Sequence, residues 1–175
     1  MDKSTKILKR LEFLHPKKID LSLSRLNKLL NKLEKPHLKV PQTIHIAGTN
    51  GKGSVTSFLR SIFEDSKYKV HTYTSPHLIR FNERIRVNSK LISNNYLNSL
   101  LEECEYYNNG ENITFFEITT AAAFLAFSRI KADIFLQTHT TNPLLSVSTI
   151  DNALEKMFEF LKKNKYDSIF SVTKI

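Results

Sequence analysis

Apolar residues recur along the chain with two different spacings, and the switches between them mark its elements. In residues 5–14, Ile7, Leu8, Leu11 and Leu14 fall at helical spacing before Pro16 ends the segment. In residues 22–34, Leu23, Leu26, Leu29, Leu30 and Leu33 form one apolar stripe, with Ser22 and Ser24 as candidate caps. The short run Thr43 to Ala47, after Pro41, predicts a buried strand. Val55, Phe58, Leu59, Ile62 and Phe63 then occupy i, i+3, i+4, i+7 and i+8, which predicts an amphipathic helix with that face inward. Residues 69–74 read as the next strand. A strand, a helix and a strand in succession make a crossover, and crossovers join parallel strands.

Residues 75–92 have no helical period and end in a turn at Asn88 and Ser89, so they predict a long loop. Residues 93–107 predict a helix capped by Ser93, with Tyr96, Leu97, Leu100, Leu101 and Cys104 inward and Asn108, Asn109 and Gly110 as its stop. Residues 115–130 are apolar nearly all round, the mark of a buried helix. Ala132 to Leu136 predicts a third strand. Beyond Asn142-Pro143, residues 148–163 place Ile150, Ala153, Leu154, Met157, Phe158 and Leu161 in helical register, and Ser168 to Thr173 predicts a strand. Strands alternating with helices give an α/β fold, a mostly parallel sheet flanked by helices.

Composition narrows the function classes. A length of 175 residues fits one ordinary domain, and 41% hydrophobic with 25% charged residues are globular values. No apolar run of membrane-spanning length exists, and MDKSTKILKR lacks the apolar centre of a signal peptide, so the expectation is a cytoplasmic protein with no membrane partner. The single cysteine, Cys104, excludes an internal disulfide and a cysteine-based zinc site. The net charge is +9, with eleven Lys/Arg against four Asp/Glu in residues 1–40 and two against six in residues 99–150. Two readings of that asymmetry stand: an anionic ligand near the N-terminal half, or lysine-rich solvated helix faces. No zinc-finger or aromatic RNA-binding pattern accompanies the charge, so no nucleic-acid partner is expected. His37, His45, His71 and His139 have no metal-ligand spacing.

Three of the four glycines, Gly48, Gly51 and Gly53, lie in the run Gly48-Thr49-Asn50-Gly51-Lys52-Gly53-Ser54, between a predicted strand and a predicted helix. Glycines let main-chain N–H groups converge on a phosphate, and the helix start adds its positive dipole end. Lys52 supplies a mobile cation for the terminal phosphates, and the Ser54 hydroxyl is placed to reach a magnesium ion. The spacing departs from a standard P-loop: two residues separate Gly48 from the Gly-Lys pair, and an extra glycine follows the lysine. The alternative is a chance glycine loop between strand and helix.

The run HIAGTNGKGS, followed by YTSPHLIRFNERIRVN, resembles the ATP-binding domain of folylpolyglutamate synthases and dihydrofolate synthases, members of the Mur ligase superfamily. Ile19 to Arg25 resembles the segment IDLGLxR of that family, and Thr114-Phe115-Phe116-Glu117 its TxFE segment; the likeness covers residues 7–136. It implies a partial P-loop-type Mur ligase ATP-binding domain in residues 1–136. Gly48, Thr49, Asn50, Gly51, Lys52, Gly53 and Ser54 would bind ATP, with Lys52 catalytic, and Ser54 and Ser75 would hold Mg2+. Asp20, Leu21, Thr114, Phe116 and Glu117 would line the pteroate site, and Ser75, Pro76, His77, Phe81, Asn82 and Arg84 would close near nucleotide and pterin. The chemistry implied is activation of a carboxylate by ATP and amide formation with L-glutamate, on dihydropteroate or folate, by a monomer. Several of these residues also have plain structural readings. Ser75 suits a turn before Pro76, and His77 a local loop hydrogen bond. Glu83 and Arg84 suit a surface ion pair, and Glu117 a helix start.

The resemblance breaks at Gln137, where the family has a metal-binding glutamate; an amide oxygen is a weaker ligand for a hard cation. Residues 134–175 resemble an internal stretch of acylneuraminate cytidylyltransferases, so residues 137–175 read as a strand-helix-strand tail joined to the ligase-like front. The expectation is ATP binding by a truncated ligase with weak or no turnover. The rivals are a nonenzymatic nucleotide-binding remnant and a cytidylyltransferase-related chimera.

Overall fold

A computed structural model describes residues 3–14, 23–48, 50–139, Glu155 and the strand pair Ser168–Ile169. The chain divides into two units, residues 1–40 with 91–131 and residues 41–90 with 132–175. In chain order the elements are α1 (Lys3–Leu11), α2 (Ser24–Lys32), a 3-10 turn (Pro36–Leu38), β1 (Gln42–Ala47), α3 (Lys52–Asp65) and β2 (Val70–Tyr73). A second 3-10 turn (Phe81–Arg84), β3 (Ile85–Val87), β4 (Lys90–Leu91), α4 (Asn94–Asn108), α5 (Phe115–Arg129), β5 (Ile134–His139) and β6 (Ser168–Ile169) follow. The class expected from the sequence is the one observed, a mostly parallel mixed sheet with helices.

The first unit is helical. α5 packs against α4, α2 and the first 3-10 turn, and α1 packs against α4. Because α5 is apolar on nearly every side, Ile118, Ala121, Ala122 and Ala126 are wholly buried. Ser93 caps α4 by accepting the N–H of Tyr96, and Asn109 ends the helix in the left-handed region at φ 51°. α2 differs from expectation. It begins at Ser24 with Leu23 at its N-cap and no side-chain cap, and Ser22 lies outside the described residues.

The second unit holds the sheet, in the order β4-β3-β2-β5-β1-β6. β1 and β2 are parallel as the crossover predicts, yet they are not neighbours. β5 lies between them and pairs in parallel with both, Gln42 to Ala47 on one side and Val70 to Tyr73 on the other. A central strand covered on both faces favours an unbroken apolar run, which Ile134-Phe135-Leu136 supplies. β5 continues through Gln137 to His139, three residues past the predicted strand. α3 packs on the sheet through Leu59 and Phe63, against Ile44, Ile46, Val70, Ile134 and Leu136, with Val55 beside them. Phe58 and Ile62, expected inward, are 69% and 60% exposed, because the helix buries a narrower stripe than its apolar face.

The predicted loop 75–92 contains regular structure. Ile85 and Val87 are buried in β3, antiparallel to β2, and Asn88 and Ser89, both at positive φ, make the turn into β4. Three residues alternating between faces are too few for periodicity to reveal. The predicted helix 148–163 falls outside the described residues except at Glu155, and of the last strand only Ser168–Ile169 is described, paired in parallel with β1. Among the described residues no helix is long and apolar enough to cross a membrane.

Candidate functional site

The glycine run sits where β1 hands the chain to α3. Gly48 is buried at the strand's end, and Gly51, at φ 75°, serves as the N-cap of α3 without a side-chain cap. That left-handed residue turns the chain so that the first N–H groups of a 14-residue helix open outward with nothing capping them from a side chain. Gly53 is ordinary helix, and a Cβ built there would meet no atom within 4 Å. The fold does not require a glycine at 53, so what its missing side chain keeps open is the space in front of the helix. The Lys52 ammonium curls back over the loop and donates to the Gly48 carbonyl at 2.5 Å.

That space is a cavity of about 500 Å³ lined by residues of the second unit. The loop contributes Asn50 and Gly51; α3 contributes Lys52, Gly53, Thr56, Ser57 and Arg60. Gly53, Thr56, Ser57 and Arg60 stand at i, i+3, i+4 and i+7, so one polar stripe of α3 faces the cavity while Leu59 and Phe63 face the sheet. Thr72, Thr74, Ser75 and Pro76 line it from β2 and its exit, Arg86 from β3, and Thr138 from β5. The Thr138 hydroxyl accepts the Ser75 N–H at 3.3 Å and donates to the Tyr73 carbonyl at 3.4 Å, which fixes Ser75 at the strand end.

The loop beyond Pro76 is organised by Glu83. Its carboxylate accepts the main-chain N–H groups of Leu78 at 2.7 Å, Ile79 at 3.0 Å and Arg80 at 2.8 Å. Those N–H groups hold the Glu83 carboxyl below the usual carboxylate range. Arg84 donates from Nε to His77 Nδ1 at 2.9 Å and lies 5.2 Å above the Phe81 ring, which His77 meets edge-on. Burial, then the charge of Arg84, push the His77 imidazole down, so it is neutral at pH 7 and free to accept that bond. Glu83 and Arg84 are therefore not paired with each other, as a surface ion pair would have them; each holds a different part of the loop.

In the helical unit, Thr114 and Glu117 form a reciprocal capping box at the start of α5. Glu117, 5% exposed, accepts the Thr114 N–H and hydroxyl, each at 2.8 Å, and pairs with Arg25 Nε at 3.2 Å. Its Oε1 is buried with no hydrogen-bond partner among the described residues. Phe116, one residue earlier, is 43% exposed.

The structure thus brings Asn50, Gly51, Lys52, Gly53, Ser75 and Pro76 to one cavity. Ser54 is solvent-exposed and outside its lining, and His77, Phe81 and Arg84 form their own cluster, with Asn82 between. Thr49, Asp20 and Leu21 lie outside the described residues. Sequence reasoning missed Thr56, Ser57, Arg60, Thr72, Thr74, Arg86 and Thr138. The helical offset from Gly53 could have found the first three; the others depend on strand pairing.

For a metal ion, the donor chemistry is thin. Among the described residues no group of three His, Cys, Asp or Glu could hold one. The single carboxylate lining the cavity, Glu83, is occupied by three N–H groups, and Gln137 is not part of the lining. These residues do not fit Mg2+ held by the protein alone, since that ion wants carboxylate or phosphate oxygens. The histidines add nothing: His71 is wholly buried and accepts the Asn88 N–H at its Nδ1.

No protein-family model matches the chain. It is 38% identical over 148 residues to the dihydrofolate synthase/folylpolyglutamate synthase of Bacillus subtilis (strain 168), covering 73% of this chain and 33% of that protein. To the Escherichia coli (strain K12) enzyme of the same name it is 36% identical over 131 residues, covering 74% of this chain and 30% of that one. Among solved structures, E. coli FolC in complex with DHPP and ADP superposes with a TM-score of 0.71 at 34% identity, over 77% of this chain and 32% of that chain. The bifunctional enzyme of Yersinia pestis complexed with AMPPNP and Mn ion gives 0.69 at 31% identity, over 77% and 33%. The chain spans about a third of the length of these relatives. Over some three quarters of its own length, the chain is a homologue of the dihydrofolate synthase/folylpolyglutamate synthases, with a fold consistent with part of the Mur-ligase-type ATP-binding domain.

Proposed function

We propose that these 175 residues supply the ATP-binding part of an ATP-dependent amide ligase of folate metabolism, in which a carboxylate of dihydropteroate or folate is activated by ATP and joined to L-glutamate. The observation that carries the reading is the helix start at Gly51 to Gly53: uncapped by any side chain, crossed by the Lys52 ammonium, and opening into a cavity that the glycine at 53 leaves clear. Gly48, Thr49, Asn50, Gly51 and Gly53 cradle the phosphates through main-chain N–H groups. Lys52 exchanges its bond to Gly48 for the terminal phosphate oxygens and neutralises charge that builds up during phosphoryl transfer. In this role Lys52 is the catalytic residue. Of the two serines proposed to meet a magnesium ion arriving with the nucleotide, Ser75 is the one that faces the cavity.

The pterin part is assigned to Asp20, Leu21, Thr114, Phe116 and Glu117. Glu117 Oε1, buried and without a partner among the described residues, has the chemistry to accept an N–H of a pterin ring, and Phe116 exposes a ring face for stacking. His77, Phe81, Asn82 and Arg84 shape the loop beside the nucleotide. The partners are small molecules and the protein is a cytoplasmic monomer without nucleic-acid or membrane partners. Support comes from the basic front, where Lys3, Arg10, Lys28 and Lys32 pair with Glu102, Glu105 and Glu111, so that part of its charge is answered within the fold.

Calorimetry with MgATP tests the reading. Wild type binds, and Lys52→Ala weakens binding at least about tenfold, or 1.4 kcal/mol; equal affinities refute the loop assignment. Release of ADP on adding dihydropteroate and glutamate reads the ligase step, and consumption of CTP with a sialic acid in its place would move the assignment to the tail's resemblance.

A further inference from the structure

Two guanidinium groups of the cavity have no task in nucleotide binding as described. Arg60 lies eight residues beyond Lys52 on α3, about 12 Å along the axis at the usual helical rise. Arg86 lies on β3 opposite Thr72 of β2, a second residue of the same lining. Neither side chain is well satisfied. Arg60 Nε is buried with no hydrogen-bond partner among the described residues; its nearest anion, Glu64, stands 3.7 Å away, with Oε1 buried and equally unpartnered. Arg86 reaches only the edge of hydrogen-bond range, 3.5 Å from Nη1 to the Ser89 carbonyl. The two cations also act on each other: burial first, and then the charge of Arg60, hold the Arg86 guanidinium below its usual value, while Glu64 opposes this. Two half-buried arginines on one cavity wall repel unless an anion lies between them, and their planar forks match the paired oxygens of a carboxylate or phosphate.

We propose that Arg60 and Arg86 form a second oxyanion position in this cavity, more than two helical turns from the helix start, which takes a carboxylate or phosphate group. The proposal rests on the nucleotide reading in one respect, that the phosphates of ATP occupy the helix start and leave this position to another group. Glu64 acts as the resting counter-charge: too far to hydrogen-bond Arg60, it neutralises part of the charge until a ligand oxygen displaces it. Ser57 and Thr72 line the same cavity, whereas the Thr56 hydroxyl donates to the Lys52 carbonyl at 2.8 Å.

The test uses the full chain and two probes, inorganic phosphate and tri-γ-glutamate, titrated calorimetrically into the protein after its affinity for MgADP has been measured and the helix start filled. At least one probe is expected to bind, and Arg60→Gln and Arg86→Gln are each expected to weaken it at least tenfold while MgADP affinity changes less than threefold. Arg86→Lys, which keeps the charge without the fork, should fall between. Phosphate binding alone identifies a phosphoryl group as the natural occupant, and tri-γ-glutamate binding alone a carboxylate. The proposal is overturned if neither probe binds, if both glutamine variants bind the probe like wild type, or if MgADP loses as much affinity as the probe, which would make the arginines part of the nucleotide's own site. Failure of MgADP to bind wild type would sink the nucleotide reading by itself, and the probes would then report on the arginines independently. Melting curves of each variant keep unfolding apart from lost affinity; because Arg60 and Arg86 sit on different elements, one suffices if the other variant does not fold.

Discussion

The helical unit and the sheet unit treat their charges in opposite ways. In the helical unit cations are matched to carboxylates: Lys3 with Glu102, Arg10 with Glu105, Arg25 with Glu117, Lys28 and Lys32 with Glu111, and Arg129 with Glu103. In the sheet unit Lys52, Arg60 and Arg86 line one cavity whose single carboxylate, Glu83, is tied to main-chain N–H groups. Both units carry thirteen Lys and Arg residues, so their number does not separate the two regions; what differs is where the described cations go, onto carboxylates of the same unit in one and onto a cavity wall in the other. Net charge along a sequence says little about where an anion binds; what counts is which cations the fold presents on a concave surface.

The largest test breaks the helical side. Glu117→Ala removes the partner of Arg25, whose side chain is 20% exposed, and one half of the capping box of α5. Loss of a buried ion-pair partner together with a capping residue should lower stability by about 3 kcal/mol, read as a lower urea midpoint at unchanged slope. The pair Arg129–Glu103, bidentate but 45% and 29% exposed, is the control: Glu103→Ala should cost at most about 1 kcal/mol, and less at high salt. If the two substitutions cost the same, burial does not distinguish the pairs and the first half of the comparison fails.

Much of this was legible in the sequence, and the misses share a cause. The glycine run between strand and helix announced itself, since glycines are scarce elsewhere and Lys52 and the helix start are adjacent in the chain. The Ser93 cap, the Asn109 stop and the buried α5 were equally local. What failed depended on partners distant in sequence. β5 sits between β1 and β2 because strand order is a tertiary property, and β3 is a strand because β2 lies beside it. Arg86 joins the cavity only through that pairing. The sequence leaves open whether the basic front is a ligand surface or a set of solvated helix faces, because the glutamates that pair with part of it, at 102, 105 and 111, are some eighty to a hundred residues away.

A test of intermediate size breaks the sheet side, and its two readouts should move in opposite directions. Gly53→Ala places a methyl group where no protein atom lies within 4 Å, in a helical residue, so stability should hold or rise by up to about 1 kcal/mol. Affinity for MgATP should nonetheless fall several-fold, because that methyl occupies the approach of a phosphate to the helix start. Unchanged affinity would mean that no ligand comes close at Gly53. The glycine would then be incidental.

The smallest effect sharpens the comparison by asking how the sheet unit holds its one carboxylate. Glu83 is charged more readily in the fold than in the unfolded chain, so its contribution is complete above the ordinary carboxylate range and is lost as pH falls through its lowered folded value. His77 is depressed too, and for a cationic acid this means the fold prefers the neutral ring. Its contribution is present above the usual imidazole value and is lost as pH falls below it, when the protonated ring can no longer accept from Arg84. The two losses should come in order on acidification: the His77–Arg84 contact first, then the grip of Glu83 on Leu78, Ile79 and Arg80. Hydrogen exchange at those three amides reads the second step, and the His77 ring resonances read the first. In Glu83→Gln, a neutral amide replaces the carboxylate, so the three amides should be less protected already at pH 7, with protection relative to the intrinsic exchange rate that does not change further through the carboxylate range. Amides that stay protected in Glu83→Gln would show that the loop is held by something other than the charge at 83.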